Sequence, residues 1–222
     1  ELVTSLAAKN GVDIIPVDSE HSAVFQCLGF EKNRPFRRII LTASGGAFRD
    51  FDKRTISGLK AEAALKHPNW LMGKKITIDC ATMLNKGLEV IEACRLYDAP
   101  LEKVTAVVHP ESVIHSMVEF CDGAVMAQLG FPSMEIPIQL ALTYPERYPT
   151  NVPYLSFEDR TLTFRKIDED RFPCFTLAIN SYKEGDNYPC AMNAANEVAV
   201  NAYLSDEIWF YDINRVIDGV LS

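Results

Sequence analysis

Residues 74–96, KKITIDCATMLNKGLEVIEACRL, decide the fold. The stretch opens as a β-branched run, Lys75–Asp79, in which Ile76 and Ile78 alternate with Thr77, and this period predicts a strand. Residues 80–83 are expected to turn the chain. From Leu84 to Tyr97 the apolar spacing becomes helical, through Leu84, Leu88 and Ile91. Polar groups gather where that helix starts. Asn85 and Glu89 are four apart and Lys86 is three before Glu89, so one turn can present all three. A helix start favours an anion, because its first N–H groups are unpaired and its dipole is positive there. Glu89 would repel that anion unless a cation lay between them. The stretch therefore predicts a site that takes both a phosphate-like group and a metal.

Working outward, 222 residues suffice for a sizeable core in one or two domains. With 48% hydrophobic and 23% charged residues, the composition is that of a globular protein. A net charge of −8 without a long basic run argues against nucleic acid or an anionic membrane as the main partner. No apolar stretch is long enough to span a bilayer, and no signal peptide is expected. The first residue, Glu1, is not Met, which reads as a processed or excised chain. The six cysteines form no C-x-x-C pair, so reduced thiols in a cytoplasmic protein are expected rather than zinc or disulfides.

Upstream, residues 1–10 read as the end of a helix stopped by Gly11. Val12–Val17 reads as a buried strand, with helix resuming over Ser22–Leu28. Between them stand Asp18, Ser19, Glu20 and His21. Asp18 and Ser19 either cap that helix or, with Glu20, offer hard oxygen ligands to a divalent cation. Arg38–Ala43 is a strand running into Ser44-Gly45-Gly46, a turn whose backbone can approach an anion or simply reverse the chain. Neither GxGxxG nor GxxxxGK[ST] occurs. Thr55–Lys66 reads as an amphipathic helix. The loop His67-Pro68-Asn69-Trp70-Leu71-Met72-Gly73 is either a lid over a site or a loop whose Trp70 and Met72 anchor it to the core.

Downstream, Val104–Val108 reads as a strand. Ser112–Phe120 and Ala124–Leu129 read as a hairpin about an Asp122-Gly123 turn, with Val113, His115 and Met117 on one face. All four histidines (His21, His67, His109, His115) lie within the first 115 residues beside polar clusters, which favours one shared site. Prolines then become frequent. A helix is expected within Pro132–Tyr144, strand and loop over Thr150–Arg171, and helices over Phe175–Lys183, Asn193–Leu204 and from Ile213 onward.

Taken together, PVDSEHSAVFQCL, LTASGGAFRD, KHPNWLMGKKITID, ATMLNKGLEVIEA, HPESVIHSMVEFCDGAVMAQLG and AMNAANEVAV closely resemble the 1-deoxy-D-xylulose 5-phosphate reductoisomerase family. The motifs run in the family's order over nearly the whole chain. The resemblance implies an α/β (α+β) fold: a mixed-sheet catalytic domain with flanking helices, a linker and a partial C-terminal helical module. The implied boundaries are residues 1–11 as the tail of a missing NADPH domain, 12–144 catalytic, 145–172 linker and 173–222 helical.

It implies NADPH-dependent rearrangement and reduction of 1-deoxy-D-xylulose 5-phosphate to 2-C-methyl-D-erythritol 4-phosphate, in non-mevalonate isoprenoid biosynthesis. The implied metal is magnesium, manganese or cobalt, held by Asp18, Glu20 and Glu89. Ser19 would bind substrate beside it, and Ser44, Asn85 and Lys86 would bind the phosphate. His67 would close over the phosphate with Trp70 in a lid, and Ser112 and His115 would form the floor. Glu20, Lys86, His67 and His115 carry the implied catalytic roles, while Met72 and Met134 would approach the nicotinamide. NADPH itself is expected mainly on the missing domain, so this stretch alone should not turn over. A sugar phosphate and a second copy of the chain, in a homodimer, are the implied partners. Cys80 departs from the family's serine, and a thiol is the poorer donor to phosphate. With the missing cofactor domain, it supports an alternative: a non-catalytic module that binds metal and sugar phosphate.

Overall fold

The computed structural model describes residues 2–31, 34–66 and 72–222. His67 and Trp70 lie outside them. The fold is mixed α/β. The chain divides into two compact units, Glu1–Ala43 with Glu92–Arg165, and Ser44–Ile91 with Lys166–Ser222. Among the described residues no helix is long and apolar enough to cross a membrane.

The first unit holds a four-stranded sheet in the order β2-β1-β3-β4. Its strands are β1 (Arg38–Ala43), β2 (Val104–Val108), β3 (Ile114–Glu119) and β4 (Val125–Leu129). β1 runs parallel to β2 and antiparallel to β3, and β3 and β4 form the expected hairpin. Before the sheet come α1 (Leu2–Asn10) and α2 (Ser19–Cys27); α7 (Glu135–Thr143) follows it. Gly11, at φ +62°, ends α1, with its own N–H on the Ala8 carbonyl and that of Val12 on the Ala7 carbonyl. α2 packs against β3 and β4. Phe25, on α2, meets Phe30 and Tyr144 at ring distances of 5.4 and 5.6 Å, which ties the helix to the end of α7.

Two expectations fail here. Val12–Val17 joins no ladder and is only partly buried. Pro16 sits within it and has no N–H to give a neighbouring strand. The strict alternation expected along β3 also breaks. Pairing jumps from Ile114↔Leu129 to Ser116↔Gln128, so His115 is the extra residue of a bulge. Ile114, His115 and Ser116 are consequently all buried.

The second unit is helical. α3 (Lys53–Ser57) and α4 (Ala61–Ala64) replace the single helix expected over Thr55–Lys66. Gly58 ends α3, and Lys60 lies extended before α4 begins. α5 (Lys74–Thr82) covers the run expected to be a strand. Tertiary burial overrides β-branched propensity here, because helical spacing places Thr77, Ile78, Ala81 and Thr82 in the core. Thr77 donates its hydroxyl to the Gly73 carbonyl at 2.8 Å, which satisfies it within the helix. Met83, at φ +62° and buried, then breaks the helix in a single left-handed residue. That conformation costs about 1–2 kcal/mol outside glycine, so packing must hold it. α6 (Leu84–Leu96) begins at once and runs from the second unit into the first.

α8 (Pro173–Glu184), α9 (Tyr188–Leu204) and α10 (Phe210–Leu221) complete this unit. α9 is the hub, packed by α4, α5, α8 and α10. Phe210 meets Phe48 at 5.0 Å and Tyr203 at 5.8 Å. Gly87 permits one close approach: a Cβ there would collide with that of Ala178, so α8 lies directly on the first turns of α6.

Candidate active site

In the first unit the candidate residues gather at the start of α2. Asp18 is the N-cap, its carboxylate accepting from the backbone N–H groups of Glu20 and His21 at 3.1 and 3.5 Å. The capping and metal readings are compatible, since a carboxylate has more acceptor sites than these two bonds use. Ser19 donates its hydroxyl to Glu20 at 2.5 Å. The His21 ring is buried, with Nε2 2.8 Å from Glu92, while the Tyr97 hydroxyl donates to the His21 carbonyl at 2.6 Å. Burial pushes the Tyr97 phenol up, so it stays a donor.

His115 and Ser19 line one small cavity with Ser22, Gln26, Gln128 and Ser133, closed on its other side by Ile136 and Pro137. Burial lowers the His115 pKa, against the opposing pull of Glu20, so the imidazole is neutral near pH 7. Ser112 is buried at φ +50°, in the turn before β3. Met134 is partly exposed at the start of α7.

His109 does not share a site in the way its position suggests. Its Nε2 accepts from the Val113 N–H at 3.2 Å, so its Nδ1 carries the proton and donates to the Thr163 carbonyl at 2.9 Å. Its ring stacks on Phe164 at 4.9 Å. Both nitrogens serve the fold, fastening residues 163–165 beside β2.

In the second unit the candidates gather at the α5–α6 junction. The Ser44-Gly45-Gly46 turn has φ of +81° at Gly45 and +67° at Gly46. A Cβ at Gly46 would collide with the Cys80 carbonyl, and only 2.7 Å would separate it from the Ala81 Cα. This glycine therefore brings Ser44's turn against the end of α5, beside Cys80. Gly46 donates its N–H to the Ser44 hydroxyl at 3.2 Å, and Arg49 donates to the Ser44 carbonyl at 3.0 Å.

On the first turns of α6, Asn85 donates to Glu89 at 2.5 Å and Lys86 forms an ion pair with Glu89. Lys86 and Glu89 are both buried. The spacing predicts that one turn presents all three, and both donors meet the carboxylate there, as i,i+3 and i,i+4 neighbours can, on a buried rather than an exposed side. Met72 is partly buried before α5.

Three further contributors were not anticipated. Asp79 is buried, 2.6 Å from Lys75 and 2.9 Å from Asn196. Glu92 anchors His21, and Gly87 admits α8. The signal for Glu92 was available in its place one turn after Glu89; nothing local marks Asn196, which is 117 residues from Asp79.

Two family profiles match the chain: the 1-deoxy-D-xylulose 5-phosphate reductoisomerase C-terminal domain over residues 14–97, and the DXP reductoisomerase C-terminal domain over residues 129–222. A 1-deoxy-D-xylulose 5-phosphate reductoisomerase of Bacillus thuringiensis subsp. konkukian is 52% identical over 97% of this chain and 56% of its own length. That of Prosthecochloris aestuarii is 52% identical over 100% of this chain and 58% of its own. The chain thus spans little more than half of these relatives. Among solved structures, the Zymomonas mobilis reductoisomerase in complex with NADPH matches with a TM-score of 0.92 at 46% identity, over 99% of this chain and 57% of that one. A DOX-P reductoisomerase in complex with NADPH, fosmidomycin and magnesium matches with a TM-score of 0.95 at 42% identity, over 100% and 57%.

Proposed function

The chain belongs to the 1-deoxy-D-xylulose 5-phosphate reductoisomerase family, and from that premise we propose that it supplies the metal and substrate site of such an enzyme. The reaction is the rearrangement of 1-deoxy-D-xylulose 5-phosphate and its NADPH-dependent reduction to 2-C-methyl-D-erythritol 4-phosphate. The observation that carries this reading is the buried start of α6, where Asn85, Lys86 and Glu89 converge, together with the glycine-built turn that begins at Ser44 and lies against the end of α5.

Asp18, Glu20 and Glu89 would hold the divalent metal. Their donors are carboxylate oxygens, which suit a hard cation such as magnesium. When bound, the metal supplies Lewis-acid polarisation of the substrate's oxygens. Ser19, one residue from each of two ligands, would bind a substrate hydroxyl. Lys86 and Asn85 would turn from Glu89 to the phosphate, joined by Ser44 and by His67. Neutral His115 would accept or donate a hydrogen bond at the floor with Ser112. Trp70 would help exclude water. NADPH supplies the hydride, and Met72 and Met134 would give its nicotinamide apolar contact. A homodimer in the cytoplasm belongs to the same reading.

The test is NADPH oxidation by a full-length enzyme carrying this chain. Turnover should require both substrate and a divalent metal, and Glu20→Gln should lower kcat/KM by about a hundredfold or more. A Glu20→Gln enzyme with full activity and unchanged metal dependence would sink the assignment.

Cys80 favours a second reading, a module that binds metal and sugar phosphate without hydride chemistry. Cys80→Ser should tighten inorganic phosphate by about tenfold if that position bonds the phosphate, since a bond to a charged group is worth about 1.5–3 kcal/mol. Turnover by the full-length enzyme with Cys80 in place rules the second reading out.

A further inference from the structure

Glu92 stands on α6, one turn after Glu89, and His21 immediately follows Glu20 on α2. The two meet: Glu92 Oε2 is 2.8 Å from His21 Nε2. A carboxylate accepts, so His21 Nε2 is the donor. The buried Nδ1 has no hydrogen-bond partner among the described residues. The ring's side chain is 2% exposed, whereas that of Glu92 is 54% exposed. The burden of orienting the ring therefore falls on its one anchored nitrogen. The backbone of the same residue is held too, by the Tyr97 hydroxyl on its carbonyl. Two groups of one helical stretch thus grip ring and main chain of the residue beside Glu20.

We infer that Glu92 is a positioning residue for the metal site: by holding His21, it fixes the first turn of α2, which carries Asp18 and Glu20. The inference rests on the proposed ligand set. Its physical basis is that partners which orient ligands without touching the metal set affinity by pre-organisation, typically tenfold to a hundredfold. Glu92 is half exposed but the His21 ring is buried, so loss of the pair also strands a buried N–H and lowers stability. The effect on the α2 start is therefore read well below the melting temperature.

The test uses the full 222-residue chain and Mn²⁺ alone, with free Mn²⁺ followed by electron paramagnetic resonance. Glu92→Leu removes the anchor, and Mn²⁺ should bind about tenfold more weakly at a temperature well below the melt, where the variant stays folded. Glu92→Gln keeps an acceptor for His21 but loses the charge, and should restore near-native affinity. Native affinity in Glu92→Leu overturns the inference. So does Glu92→Gln as weak as Glu92→Leu, which would make the effect one of long-range charge. Glu20→Gln reports on the ligand set independently. If it abolishes Mn²⁺ binding while Glu92→Leu does nothing, the site stands and only the role of Glu92 falls. If the native chain binds no Mn²⁺, or Glu20→Gln binds as the native chain does, the ligand set fails and the inference with it.

Discussion

Asn196 donates a 2.9 Å hydrogen bond to Asp79 in the buried seam between α9 and α5. It reaches a carboxylate that burial holds above its ordinary pKa of 3.8, with Lys75 acting in the opposite direction. An acid raised in the folded state keeps its proton longer there than in the unfolded chain. Its contribution is complete below pH 3.8 and is lost as pH rises through the folded value. Asp79→Asn cannot titrate. Its melting temperature, relative to the native chain, should therefore climb with pH from about 4 upward. Parallel melting curves for the two at every pH would show that Asp79 does not titrate in this window.

The absence of a side chain at Gly87 decides another balance. Alanine normally stabilises a helix interior by about 1 kcal/mol over glycine. Here its Cβ would collide with the Cβ of Ala178, and overpacking of this kind costs about 1–3 kcal/mol. Gly87→Ala should thus lower stability in denaturant titration, and Gly87→Ala with Ala178→Gly should recover most of the loss. A single variant as stable as the native chain would show that α8 moves aside freely.

Motifs that act through local geometry were legible in the sequence. Asp18 caps α2 because a short carboxylate reaches N–H groups two and three residues on. Asn85, Lys86 and Glu89 meet because helical spacing alone puts them together. The Asp122-Gly123 hairpin needed no tertiary information either. Errors arose where burial overruled local preference. Ile76, Thr77 and Ile78 look like a strand, yet α5 forms and buries Thr77 and Ile78 together with Ala81 and Thr82. The bulge at His115 depends on how β4 pairs across from it, which a single strand does not encode. Asn196 and Ala178 were invisible as partners because their contacts close only when distant segments pack.

The Lys86–Glu89 pair allows a prediction about buried charge. Both side chains are 4% exposed. Removing one partner strands the other, at about 3–5 kcal/mol. Lys86→Met should be strongly destabilising, although Asn85 still donates to Glu89. Adding Glu89→Gln removes the stranded charge and should restore much of the stability while abolishing Mn²⁺ binding. The coupling is read from a double-mutant cycle in urea. Additive losses would mean that the two charges do not depend on each other in the folded chain.

His109 separates a structural histidine from a functional one. Its ring is fully buried, with Val113 at Nε2, Thr163 and Glu111 at Nδ1, and Phe164 against its face. His109→Phe keeps an aromatic face for Phe164 but strands a buried N–H and a carbonyl. Each such loss costs about 1–3 kcal/mol, and about 2–4 °C in melting temperature follows from each kcal/mol in a chain of this size. Mn²⁺ affinity at a temperature well below the melt should be unchanged, because neither nitrogen is available to a ligand. The opposite pattern, a native melting temperature with weakened Mn²⁺ binding, would return His109 to the shared site that its place in the sequence suggested.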